Sequence, residues 1–196
     1  MSELDVAEPE QEEEQPEELD PEVKARRDEA LAHVRKLGDP VLRAKALPVE
    51  RFDRHLAEEA ERMGALMDDA LGIGLAATQM GVLHRLLVYR ADPEQPIRAL
   101  ANPQIEWLSE ETDVAAEGCL SIPGVHVDVT RPVRLRVSAQ DPTGAPIEIE
   151  AEGLEARVIQ HEIDHLDGVL ILDRVSKEQR KQAMRELRQS LAQRDA

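Results

Sequence analysis

A chain of 196 residues, 41% of them apolar, can bury a substantial core and is most simply one domain with tails; no apolar run approaches the length of a membrane-spanning helix. The single cysteine, Cys119, excludes an internal disulfide, and with no charged-then-apolar leader the expectation is a cytoplasmic protein that does not engage a membrane. The net charge of −17 is largely local: residues 1–22 hold eleven Asp or Glu and no Lys or Arg, leaving 30 acidic against 24 basic residues, so it defines no function class for the whole chain.

The first stretch carries Pro9, Pro16 and Pro21 and almost nothing apolar, so it cannot bury enough surface to offset its ordering entropy. An acidic, disordered N-terminal extension is expected over 1–33. It is too acidic for a transit peptide. From Val34 the sequence reads as structured, with a short extended segment over 36–42 and a turn at Gly38-Asp39-Pro40. A helix is expected over 50–71, burying Phe52, Leu56, Met63, Leu66 and Met67 and exposing Glu58, Glu59, Glu61 and Arg62.

Residues 72–79, Gly-Ile-Gly-Leu-Ala-Ala-Thr-Gln, follow. Two glycines around one isoleucine permit unusual backbone angles or the close approach of another backbone. A phosphate cradle is excluded, since the third glycine of a dinucleotide site and the Lys-Ser/Thr ending of a P-loop are both missing. On its own this stretch is a turn into a core strand, and Gln79 an ordinary polar residue. Strands are expected over 83–89 and 97–101, with Asn102-Pro103 turning the chain into 104–108. Alternation at Val125/Val127/Val129, Val133/Leu135/Val137 and Ile147/Ile149 predicts antiparallel strands with one wet face.

Over 154–166 the apolar residues Leu154, Val158, Ile159, Ile163 and Leu166 recur at helical spacing around Gln160-His161-Glu162-Ile163-Asp164-His165. Two histidines four residues apart leave one helix face together, and a glutamate beside them can reach a water on the ion they would hold, which suits the base of a metallohydrolase. The last helix, over 177–193, opens with a capping-box pattern at Ser176 and Gln179 and has an apolar stripe of Met184, Leu187 and Leu191. Seven basic and two acidic residues lie over 174–194, which suits either a solvated face or a docking surface for an anionic partner. The fold class expected is α+β: small antiparallel β-sheets around a central helix carrying the His-Glu-Ile-Asp-His motif, with a C-terminal helix.

Two histidines need a third donor. No histidine follows His165; Glu186 sits in a charge-laden helix; Cys119, within Glu117-Gly118-Cys119-Leu120-Ser121, is either that donor or an inert core thiol. Segments 72–79, 117–121 and 160–165 together resemble, in order and approximate spacing, the three signature motifs of peptide deformylases. The likeness spans roughly 34–175 as a catalytic domain, and the basic amphipathic helix over 176–196 is similar to the helical tail of the Gram-negative type.

That resemblance implies Cys119, His161 and His165 as metal ligands with water in the fourth place and Glu162 as general base. It implies Gln79 through its side-chain amide and Leu120 through its backbone N–H as donors to the oxyanion. It implies one ferrous ion as the native metal, with zinc, nickel or cobalt able to substitute. The reaction implied is removal of the formyl group from N-formyl-methionyl nascent peptides, with release of formate. Extended substrate would pair with Ile73, Gly74 and Gly118, while Leu154 and Val158 receive the methionine side chain. A monomer docking on the ribosome through the C-terminal helix is the accompanying expectation. Many relatives carry arginine where this chain has His126, and Arg157 borders the expected pocket. Two rivals remain: a metallopeptidase acting on internal amides, and a silent ribosome-associated module whose metal only holds the fold. Internal cleavage would mark the first. Glu162 and Gln79 speak against the second, because a closed structural site has no use for them.

Overall fold

A computed structural model describes residues 19–194, and the expectation of disorder over 1–18 lies outside them. Disorder does not extend to residue 33. Helix α1, Pro21–His33, begins where the Asp20 carboxylate accepts from the Glu22 and Val23 N–H groups and Pro21 presets the first turn. Ala30 and Leu31 then bury against Ala70, Leu66 and Leu120. Composition hid this helix because so few apolar residues suffice once a surface exists to receive them. Residues 40–43 form a 3₁₀ turn capped by Asp39 in place of the expected extended segment. Helix α2, Arg54–Asp69, starts later than residue 50 because the Asp53 side chain caps His55 and Leu56.

Strands β1 (Gly74–Ala76), β2 (Leu86–Tyr89), β3 (Arg98–Leu108), β6 (Arg134–Gln140) and β7 (Pro146–Glu152) form an antiparallel sheet in the order β1-β2-β3-β6-β7. Strands β4 (Thr112–Cys119) and β5 (Ile122–Pro132) form a separate antiparallel pair. Asn102-Pro103 does not turn the chain. It makes an irregularity inside one long β3, with Asn102 at φ +52° and its side chain bonded to both Val49 backbone groups and to Gln140. Strand β4 has no apolar alternation to mark it in the sequence, because most of its residues face solvent.

Helix α3, Gly153–Leu166, runs between the two sheets. Ala156, Ile159, Ile163 and Leu166 pack on Leu87, Leu100, Leu135, Val137 and Ile149 of the five-stranded sheet. Its other side is buried too, and there it carries Gln160, Glu162, Asp164 and His165. Polar groups so placed need partners, and their surroundings decide what they can do. Helix α4, Lys177–Arg194, is capped reciprocally by Ser176 and Gln179 and lays Ala183, Met184 and Leu187 on Val127 and Val129 of β5; the Leu191 side chain lies outside the described ones. The fold is α+β. Among the described residues no helix is long and apolar enough to cross a membrane.

Candidate metal centre and catalytic cleft

Helix α3 projects His161 and His165 toward the end of β4, where a register irregularity after Gly118 delivers Cys119. The two Nε2 atoms are 3.2 Å apart, Cys119 Sγ is 3.3 Å from His165 Nε2, and one ligand atom from each of the three residues lies within 4.8 Å of the others. A tetrahedral ion with ordinary metal–nitrogen and metal–sulfur bonds needs edges of about 3.3 Å between nitrogens and about 3.6 Å between sulfur and nitrogen. The donors fit such an ion.

Their chemistry agrees. His161 Nδ1 lies 3.0 Å from Glu117 Oε2, so Nδ1 carries the hydrogen facing the carboxylate and Nε2 turns its lone pair inward. Burial would raise the Cys119 thiol, but His165 and His161 beside it outweigh burial and hold it well below the usual range. Burial disfavours charge on His161, yet its bonds to Cys119 and Glu117 push it up to about 10. The sulfur thus favours an adjacent positive charge, of the kind a divalent ion would supply at these donors.

Glu117 is held in turn by Arg131 through Nε at 2.6 Å and Nη2 at 2.9 Å, and by Arg157 Nη1 at 2.8 Å. Burial would raise its pKa, but Arg131 and His161 bring it down to about 2. Arg131 also donates to Asp164 at 2.9 Å, and Asp164 pairs with Arg174. A charged network therefore fixes the His161 ring from behind. Sequence reading did not identify Glu117 or Arg131 as its parts. One signal was available: Glu117 lies two residues before Cys119, and residues so spaced share a face in a regular strand, although the ladder here shifts register after Gly118.

Glu162 follows His161 on α3 but turns into the cleft. Its Oε2 is buried with no hydrogen-bond partner among the described residues, and burial raises its pKa. Gly74 lies against it: a Cβ there would stand 2.9 Å from Glu162 Cγ and Cδ and closer still to Oε1. Gln79 lines the same cleft. Its Oε1 accepts the Ala76 N–H at 2.9 Å, which turns the amide nitrogen toward Ser121 Oγ at 3.2 Å and Cys119 Sγ at 3.8 Å.

A cavity of about 400 Å³ joins these parts, lined by Ile73, Gly74, Gln79, Gly118, Cys119, Leu120, Leu154, Val158, His161 and Glu162. Every expected site residue except His165 lines it. Arg157 lines it as well, with its guanidinium committed to Glu117 and to the Val129 and Asp113 carbonyls. The His126 ring rests on Gly118, with Nε2 3.0 Å from where a Cβ would be. Exposed Leu71, Ile73 and Leu154 rim the opening.

A family profile described as Polypeptide deformylase matches residues 31–181. This chain belongs to the peptide deformylase family. A peptide deformylase from a Picosynechococcus species is 48% identical over 158 residues, 79% of this chain and 84% of that protein. One from Parafrankia is 43% identical over 82% of this chain and 87% of that one. The Legionella pneumophila deformylase crystal structure superposes with a TM-score of 0.78 at 39% identity, covering 83% of this chain and 96% of that chain. The protein is a hydrolase of this family, and helix α1 begins ten residues before the segment shared with the deformylase profile.

Proposed function

We propose that the protein removes the N-formyl group from the N-terminal methionine of newly made chains in the cytoplasm, with Glu162 as general base and Cys119, His161 and His165 holding one ferrous ion. The observation that carries this reading is the buried Glu162 carboxylate, whose Oε2 has no partner among the described residues, facing the cleft beside three convergent donors. Bound at those donors, a divalent metal supplies Lewis acidity, acidifying a water and polarising the formyl carbonyl. Zinc, nickel or cobalt would satisfy the same sulfur and nitrogen set.

The residues divide the remaining work. Glu162 Oε2 has an unoccupied lone pair for the water's proton, and the raised pKa helps it hold that proton until the leaving amine needs it. Gln79, locked by Ala76, offers its amide hydrogen to the oxygen that becomes negative, joined by the Leu120 N–H. Strand β1 is an outer strand of its sheet and, among the described residues, β4 pairs with β5 alone, so extended substrate would add between the edges near Gly74 and Gly118. Leu154 and Val158 would take the methionine side chain. On α4 the bases at 177, 181, 185 and 188 form no ion pair among the described residues, whereas Arg180 pairs with Asp173; a monomer docked on the ribosome through this helix would co-sediment with ribosomes, and a chain ending at Val175 would not.

Glu162→Ala and Cys119→Ala test the assignment. The first should keep its metal and release formate from formyl-Met peptides about 10²–10⁴-fold more slowly. The second should lose tight metal binding. Wild-type rates in the Glu162 variant, or unchanged metal in the Cys119 variant, would remove those residues from their roles.

A further inference from the structure

Arg27 belongs to α1 and lies before the segment matched by the family profile, yet it lines the catalytic cavity together with Leu31. The two are four residues apart, so they share a helix face. That face is fixed: Leu31 is buried against Ala70 and Leu120, Asp20 caps the helix start, and Lys36 Nζ binds the Leu31 and Val34 carbonyls at 2.5 and 3.0 Å. Arg27 is half-buried and forms no ion pair or hydrogen bond among the described residues. The carboxylates lining the cavity do not answer its charge. Glu117 is taken by Arg131, Arg157 and His161, and Glu162 stands beside the metal donors. An unpaired guanidinium on a rigid cleft wall is a ready fork for a carboxylate.

We infer that Arg27 is a specificity-determining residue that binds an acidic side chain of the substrate downstream of its formyl-methionine, making α1 part of the substrate cleft. The inference rests on the deformylase reading. A donor preset by a packed helix loses little freedom on binding, so the preference should appear mainly in KM.

The test uses the full-length, metal-loaded protein with formyl-Met-Ala-Ser and peptides in which Ala or Ser is replaced by Asp or by Lys. The wild type should favour Asp over Lys by about fivefold in kcat/KM, the scale of one partly exposed charge pair. Arg27→Ala should abolish that preference while leaving the neutral peptide within about twofold, and Arg27→Glu should reverse it. Binding of the deformylated Met-Asp-Ser product should weaken in parallel, which separates recognition from turnover. An equal loss on all peptides, or an unchanged Asp-to-Lys ratio in Arg27→Ala, overturns the inference. No formate from any peptide with wild type would instead overturn the deformylase reading.

Discussion

Substituting alanine for Gly74 should disable the protein through Glu162 and leave the metal donors alone. The added methyl would stand 2.9 Å from Glu162 Cγ and Cδ, tighter than carbon contacts allow, and closer still to Oε1. Both residues are buried, on β1 and α3, so neither backbone can give way freely. Restoring ordinary contacts requires the carboxylate to retreat by about 1 Å, and a displacement of that size at a reacting group costs on the order of 10²-fold in rate. Overpacking should also lower stability by about 1–3 kcal/mol. Formate release, metal content and thermal unfolding would be measured on Gly74→Ala, Glu162→Ala and the double variant. In the double variant the methyl occupies space the carboxylate has left, so its rate should match that of Glu162→Ala and its stability should recover. A Gly74→Ala protein with near wild-type turnover would refute the reasoning. Rate losses that multiply in the double variant would also refute it, since Gly74 would then act through something other than Glu162.

Replacing Arg131 with leucine should destabilise the fold by about 3–5 kcal/mol, because Glu117 and Asp164 would lose a shared buried partner; a shift below about 1 kcal/mol in denaturant unfolding would show that Arg157 and Arg174 carry the network. The sole tyrosine, Tyr89, should titrate at about 12 by ultraviolet absorbance, because burial outweighs Arg98 and is reinforced by the bond to Glu155. Its folded pKa is raised, so its contribution to stability is complete below pH 10 and is lost as pH rises through about 12; a midpoint near 10 would show that the ring is hydrated.

Sequence periodicity located α2, α3, α4 and the alternating strands β5, β6 and β7, because each buries a face large enough to impose its own repeat. Helix α1 and strand β4 lacked such a face, and each is ordered by a surface supplied elsewhere: Ala70 and Leu120 for α1, the β5 ladder for β4. At Asn102 the residue type suggested a turn, whereas the bonds to Val49 and Gln140 hold it as an irregularity in a continuing strand.

The one-turn spacing of His161 and His165 and the placement of Glu162 between them were set by the chain alone, since a helix converts separation in sequence directly into position in space. Joining them to a sulfur 42 residues before His161 required the β4–β5 hairpin to pack against α3. The same packing brought Arg131 behind Glu117, closed Gly74 onto Glu162 and set Arg27 in the cleft wall. Those juxtapositions join residues from different elements, and no local rule links them; only the burial of their shared surfaces decides which side chains meet.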